Sequence, residues 1–502
     1  MKPHTLLVAC LASVAPCPIS EGQTFIDRSA ELGIAPAGEH AAWGDVNQEG
    51  WPDLWAGGVL WVNREGKAFT RVEAPGGGLI VDLDNDGMGE LVSFSPLAVW
   101  RVVHRGETWG VAAAEGWMPA LPQTICRGVV AGDFNRDGFL DLYTGGYEAW
   151  ETQTTFPSFV LLNEGGKALR LAASTADRRA RGVAGCDFDA DGDLDVYVSN
   201  YRLQPNGLLV NDGRGVFTDE ATTRNAVATS GEFKGGHSIG ACFGDFDNDG
   251  FFDLFAGNFA HVDSRGDQPK SRFLRNRGTA GGFAFDDLGE CGVWYQESYA
   301  SPACADFDND GRLDLFFTTV YADASFGKKN FPVLYRSDAI TREAWSFKDA
   351  TEGSGLENLP PTYQAAWADV DRDGRVDLVA AGRLFMNNTP KGAHWLGVRL
   401  IGDGKAVNRD AIGAVVRVTT GGRVLVRQVE SGTGEGNANA LLLHFGLGAM
   451  DGAARVDVVA DIEVLVRWPD GVEQRLSAQS PDRVIDVTRA RAVEVPPSAV
   501  PR

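Results

Sequence analysis

The 502-residue sequence is short of cysteine, of excess basic charge and of long hydrophobic runs. Its seven cysteines include no Cys-x-x-Cys pair and no zinc-type spacing, so neither a dense disulfide scaffold nor a structural zinc site is expected. Basic residues number 46 against 68 acidic ones, a formal net charge of −22. That balance argues against binding nucleic acid or anionic lipid, both of which ask for a basic footprint. A helix that spans a bilayer needs about 20 consecutive apolar residues, and no stretch of the mature chain approaches this, so no transmembrane segment is expected. Sustained helical periodicity beside an N-cap is also missing, as are a nucleophile elbow, a phosphate-binding glycine loop and an HExxH motif.

What is present is glycine, at 62 residues, with 44% apolar and 10% aromatic residues. Many tight turns joined by short apolar segments describe a globular β-rich chain. Residues 1–22 read as an export signal: Lys2 is the positive end, Leu6 to Ala15 the apolar stretch, and Ser20 and Gly22 the small residues before a cut at Gln23. The expected location is therefore secreted, periplasmic or at the cell surface. Leu7-Val8-Ala9-Cys10 has the look of a lipoprotein box, but it lies too close to Met1, and lipidation of Cys10 is not expected. Cleavage leaves Cys126, Cys186, Cys242, Cys291 and Cys304, an odd set. Cys291 and Cys304 are close enough in sequence for a short bridge; the others read equally well as small buried hydrophobes.

One pattern recurs seven times: acid, apolar, Asp or Asn, any residue, acid, Gly, any two residues, acid, aliphatic. The copies are Asp45–Leu54, Asp82–Leu91, Asp133–Leu142, Asp187–Val196, Asp245–Leu254, Asp306–Leu315 and Asp369–Leu378. Repeats at such spacings mark a propeller or solenoid. A second element alternates with the first: an apolar strand ending in Asn, a Gly-rich turn, then Phe-x-Asp. It is clearest at Leu208–Asp219 and weaker at Leu60–Phe69, Phe273–Asp287 and Val333–Asp349. Each unit then holds about four short strands, one propeller blade. The chain opens with Phe25-Ile26-Asp27, a unit-ending strand, and the seventh unit lacks its own. The first strand is expected to complete the last blade and so remove an open edge. The expectation is an all-β protein: a seven-bladed propeller over 23–392, a small β-sandwich or barrel over 393–491 and a loose tail over 492–502.

In the fifth copy, Asp245, Asp247 and Asp249 occupy positions 1, 3 and 5, Gly250 permits the bend at 6, and Asp253 at 9 can bind through both oxygens. With the carbonyl of position 7 this makes six or seven oxygens, which suits Ca²⁺ better than Mg²⁺; softer metals would ask for His or Cys. The corresponding ligand sets are Asp45, Asn47, Glu49 and Asp53; Asp82, Asp84, Asp86 and Glu90; Asp133, Asn135, Asp137 and Asp141; Asp187, Asp189, Asp191 and Asp195; Asp306, Asp308, Asp310 and Asp314; and Asp369, Asp371, Asp373 and Asp377. Up to seven Ca²⁺ are expected, with the first loop weakest because of Asn47, the longer Glu49 and the stiffening Pro52. Seven divalent ions would leave a formal charge of about −8, ordinary for a soluble protein.

These loops resemble the FG-GAP/VCBS repeats of integrin α-subunit propellers and bacterial surface proteins. Asn408-Arg409-Asp410, Ile412-Gly413-Ala414, His444-Phe445-Gly446-Leu447-Gly448 and Trp468-Pro469-Asp470-Gly471 resemble the ASPIC/UnbV domain. The pairing is that of the cartilage acidic protein family, of bacterial type, and the resemblance implies an exported calcium-binding protein without implying a chemistry. Strands are expected at Leu396–Leu400, Ala414–Thr419, Val424–Val429, Ala440–Phe445, Ile462–Val466 and Val484–Val487.

Tyr147, Tyr201, Phe259 and Tyr321 each follow the last acid of a loop by six or seven residues, and His237 and His261 flank the fifth loop. The aromatics read either as stacking platforms on one propeller face or as ordinary blade packing; the histidines as acid–base groups or as hydrogen-bonding residues at a blade edge. Arg265-Gly266-Asp267 matches an integrin-recognition tripeptide that a Gly- and Asp-rich chain also produces by chance. Three functions fit. The leading one is a non-catalytic binding or adhesion module for a protein, matrix or cell-surface ligand. The others are a lectin-like propeller and a polysaccharide-active enzyme such as a lyase.

Overall fold

The computed structural model describes residues 24–106, 108–175, 178–263, 266–341, 344–448 and 462–489. The export signal, the tail over 492–502 and Arg265 lie outside the described residues. Seven four-stranded antiparallel sheets follow one another along the chain. Their innermost strands are Ala41–Gly44, Gly78–Val81, Cys126–Gly132, Ala180–Cys186, His237–Gly244, Tyr299–Ala305 and Ala365–Ala368. Each packs against the next, and the seventh packs against the first, so the ring closes. The protein is a seven-bladed β-propeller.

The closure is the one expected. Phe25–Asp27 pairs with Arg383–Asn387 as the outer strand of blade 7, with Phe25 opposite Asn387. The side chain of Phe25 is buried against Phe307 and Trp367. Burying one such ring contributes roughly 1.5–3 kcal/mol, and the pairing gives blade 7 the fourth strand that the other blades draw from their own segments.

Burial explains the strand patterns. Inner and second strands lie between neighbouring blades and are apolar on both faces; Asp253–Phe259 is buried along its whole length. Outer strands face solvent on one side and alternate, as Phe69–Glu73 does. The asparagine that ends the third strand ties blades together. Asn163 donates to the carbonyls of Leu140 in its own blade and Leu83 in the previous one, at 3.0 and 2.8 Å. Asn63, Asn211, Asn276 and Asn387 make the same reach to Val370, Phe134, Phe188 and Phe307. Ser337 holds this place in blade 6 and is too short for it.

The C-terminal domain has two sheets facing a shared core. One contains Leu443–Gly448, His394–Ile401 and Arg483–Thr488; the other contains Arg423–Gln428, Val415–Thr420, Ile462–Arg467 and Glu473–Gln479. Glu473–Gln479 was not expected as a strand, because its polar, half-exposed residues carry no apolar alternation. The core of this domain runs without a break into blades 2 to 4.

Three further departures have simple causes. Ser29–Leu32 forms one helical turn, too short to give a periodic signal. Glu148–Ala149 with Thr154–Thr155, and Val262–Asp263 with Gly266–Asp267, form small hairpins inserted after the second strands of blades 3 and 5. Cys291 and Cys304 do not form the bridge that their spacing allowed. Cys291 follows the outer strand of blade 5, whereas Cys304 sits on the inner strand of blade 6 and donates to the carbonyl of Phe243.

Candidate metal loops and the open face

Each acidic loop joins a blade's first strand to its second. The residue at position 4 is left-handed, from Gln48 at φ 52° to Asn309 at 62°, and the glycine at position 6 lies between 84° and 97°. A side chain is strained at the second bend, which is why glycine recurs there. The position-1 aspartate receives the backbone N–H of that glycine, at 2.7 Å in loop 1 (Gly50 to Asp45) and 3.1 Å in loop 5 (Gly250 to Asp245). In loops 1, 3, 5, 6 and 7 the position-9 acid takes one N–H from position 2 and one from the third strand. Asp253, for example, accepts from Phe246 at 3.0 Å and Asn276 at 2.8 Å.

The loops form a ring of their own. Position-4 side chains reach the next loop: Asn85 to the Gly138 carbonyl, Arg136 to Asp191, Asn248 to Gly311, Asn309 to Gly374 and Arg372 to Gly50. Ala190 in loop 4 has nothing to reach with, and there Arg467 of the C-terminal domain donates to its carbonyl at 2.8 Å.

In five loops, three carboxylates bring oxygens within 4.8 Å of one another: Asp82, Asp84 and Asp86; Asp187, Asp189 and Asp195; Asp245, Asp247 and Asp253; Asp306, Asp308 and Asp314; Asp369, Asp371 and Asp377. These groups have the donor set for a hard divalent cation. Among the described residues, loops 1 and 3 make no such group. In loop 3 the amide of Asn135 is turned to Asp137 at 3.0 Å. Burial, then the neighbouring acids, push the aspartates upward: Asp245 and Asp369 to about 8, Asp133 and Asp306 to about 7. A cation would relieve that crowding.

The C-terminal domain covers this loop-bearing face. Arg399 donates to Asp45 at 3.2 Å and to the Gln48 carbonyl. Arg467 pairs with Asp187, and Asp410 accepts the Asp82 N–H at 2.7 Å. His444 stacks on Trp395 of its own domain and also meets Asn309 of loop 6 at 2.5 Å. The segment from Ser431 to Ala440 enters the central channel and bonds to the inner strands of blades 1, 3, 5, 6 and 7. A Cβ on Gly182 would stand 2.2 Å from the Gly434 carbonyl oxygen, so glycine permits the approach. At its tip, buried Glu435 holds Arg181 by two bonds of 2.9 and 3.0 Å. No sequence signal announced this insertion.

The six residues singled out on the opposite side come together. An inner strand that ends at its acidic loop begins at the far face, and a second strand ends there. The rings run in sequence from Tyr147 to Tyr201 (6.5 Å between centroids), to His237 (4.8 Å), to His261 (5.3 Å), to Phe259 (4.3 Å) and to Tyr321 (5.4 Å). Tyr147, Phe259 and His237 are buried, Tyr201 and His261 are half-buried, and Tyr321 is 37% exposed. Only the last three present area to a ligand. Arg181 lies beneath, 5.0 Å from the Tyr147 ring and 5.5 Å from Tyr201.

Comparison with known proteins agrees with the family resemblance. Residues 404–494 match the ASPIC and UnbV family, and residues 82–144 and 187–256 match the FG-GAP-like repeat. The chain carries FG-GAP-like repeats followed by an ASPIC/UnbV domain. Cartilage acidic protein 1 of Mus musculus is 26% identical over 348 residues, 65% of this chain and 48% of that protein. The Homo sapiens protein is 26% identical over 352 residues, 66% of this chain and 48% of that protein. The chain thus spans about half the length of these curated relatives. Among solved structures, a lectin from Agrocybe aegerita that recognises non-reducing terminal N-acetylglucosamine aligns with a TM-score of 0.38 at 15% identity, covering 71% of this chain and 88% of that one. The Vibrio cholerae biofilm matrix protein Bap1 aligns at 0.29 and 11%, covering 72% and 62%.

Proposed function

We propose that this protein is an exported, calcium-loaded propeller that acts as a binding or adhesion module through the face its C-terminal domain leaves uncovered. The observation that carries the reading is the division of labour between faces. The acidic loops lie under the C-terminal domain, where Arg399, Arg467 and Asp410 engage them. The opposite face gathers Tyr201, His261 and Tyr321 with exposed area. Calcium in this scheme holds the scaffold and does not contact the ligand. Adhesion to matrix proteins or whole cells should need calcium for folding and should fall at least about tenfold in Tyr321→Ala at unchanged unfolding temperature. Unaltered adhesion in that variant and in Tyr201→Ala would place the ligand elsewhere.

Two other readings have one observation each. The half-exposed Tyr201 and Tyr321 rings favour a glycan, tested by a glycan array with Tyr201→Ala as control. The contact of His261 Nδ1 with Glu297 at 3.2 Å supplies the base–carboxylate pair a lyase would use, tested by turnover on acidic polysaccharides.

A further inference from the structure

Two of the five cysteines beyond the export signal face each other across a blade interface. Cys242 lies on the inner strand of blade 5, His237–Gly244, and Cys304 on that of blade 6, Tyr299–Ala305. These strands pack side by side around the channel. Side chains two apart on a strand share a face, so Cys242 points the same way as position 244. A Cβ on Gly244 would stand 3.7 Å from the Cys304 sulfur, which puts Cys304 opposite that face. Cys304 Sγ also lies 3.3 Å from the carbonyl oxygen of Phe243, the residue between the two positions. Both side chains belong to one apolar core between the blades, and the two thiols meet there.

The Cys126 and Cys291 thiols donate instead to backbone carbonyls of their own segments, Gly128 at 3.2 Å and Leu288 at 3.5 Å. The facing pair is also unequal in access. Cys242 is fully buried; burial first and the neighbouring thiol next hold it well above its ordinary value. Cys304 is half-buried and borders a cavity of about 110 Å³ beneath the C-terminal domain. It is therefore the sulfur that a small reagent meets first.

We propose that Cys242 and Cys304 form a disulfide that staples blade 5 to blade 6 when the protein is oxidised. The oxidant is a low-molecular-weight disulfide. Cys304, as its thiolate, attacks one sulfur of that reagent and releases the first small thiol; Cys242 then loses its proton, attacks the Cys304 sulfur and releases the second. One S–S bond forms in the protein and one breaks in the reagent, two electrons pass to the reagent, and the two protein protons end on the released thiols. The bridge closes a loop of about 60 residues, long enough to restrict the unfolded chain strongly. It joins the two blades that bring His261 and Tyr321 to the uncovered face, and it stands whatever that face binds.

The test refolds the full chain from urea with calcium in a buffer of reduced and oxidised glutathione, then alkylates and digests it without reduction. Mass spectrometry should find one peptide pair joined through Cys242 and Cys304 and released by a reductant. The oxidised protein should unfold about 5 °C above the reduced one. Cys304→Ser should lose both the peptide pair and the shift, whereas Cys291→Ser should keep both. If Cys304→Ser does not refold, Cys242→Ala replaces it, and the mapping of the unmodified chain decides by itself. Recovery of Cys242 and Cys304 unbridged from a chain with native circular dichroism, or a bridge from Cys304 to Cys291, would overturn the pairing.

Discussion

Loops 1 and 5 share a backbone and differ in chemistry. Gly50 and Gly250 sit at φ 94° and 97°, and the backbone N–H of each donates to its position-1 aspartate. Asp53 and Asp253 anchor their loops identically, each accepting one N–H from position 2 and one from the third strand. Yet Asp245, Asp247 and Asp253 converge, whereas the positions that should complete loop 1 hold Asn47 and Glu49. There Arg399 approaches Asp45 from the C-terminal domain and supplies a positive charge from the chain itself. The turn is thus maintained by backbone geometry and the anchoring acids, and the extra carboxylates are a separate layer laid over it.

Removing divalent ions should erase much of the difference between the two loops, and it carries the largest expected effect. Each site occupied at 100 times its dissociation constant adds about 2.7 kcal/mol, so excess EDTA should lower the unfolding midpoint by about 10 °C or more relative to millimolar calcium. Bound ions counted by elemental analysis should fall between five and seven per chain, in line with the five acid triads. No shift and no bound calcium would reduce every loop to a plain turn.

A sharper separation comes from the shared anchor. Asp253→Asn and Asp53→Asn both place an amide against backbone donors in a buried site and should each cost about 2–4 kcal/mol in denaturant unfolding. Only the first should also lose a calcium ion. Loss of an ion from Asp53→Asn would show that loop 1 is loaded after all.

The pH dependence separates the metal-free protein from the loaded one. In the metal-free fold, burial first and the neighbouring acids next raise Asp245 and Asp369 to about 8, above their unfolded value of about 3.9. The folded state then holds more protons than the unfolded state between about pH 4 and 8, so metal-free stability should fall as pH rises through that window. Calcium keeps the same acids ionised, so the loaded protein should not show this decline. Adding calcium at pH 7 should therefore release protons, measurable in a weakly buffered cell; proton uptake or no change would contradict the raised values.

The smallest effect is expected from Asn47→Asp with Glu49→Asp, which gives loop 1 the acids of loop 5. With Arg399 in place the stability change should stay within about 0.5 kcal/mol. Adding Arg399→Ala should allow one more calcium ion per chain, and an unchanged count would mean that the guanidinium is not what keeps the loop empty of metal.

The acid pattern, the recurring glycine and the strand-ending asparagine are local, and they made seven blades and the N-terminal clasp legible before any coordinates. The candidate ligands were legible for the same reason: positions 1, 3, 5 and 9 fall within one turn, and chain connectivity alone brings them together. Glu473–Gln479 escaped because an exposed edge strand has no apolar alternation to display. The role of Asn163 and its counterparts also escaped. Their residue type was visible, but the carbonyl each one reaches belongs to the preceding blade.

By itself the sequence determined the blade count, the turn in every loop and which acids each loop carries, because each is settled within a few consecutive residues. Tertiary structure alone decided that the C-terminal domain covers the loop face and that Glu435 travels down the channel to Arg181, 254 positions away. It also decided which rings on the far face are buried and that His237 and His261 stand 5.3 Å apart. Those facts depend on how separate strands close into a ring, and no local pattern encodes the distance between residues whose contact is made only when the ring is shut.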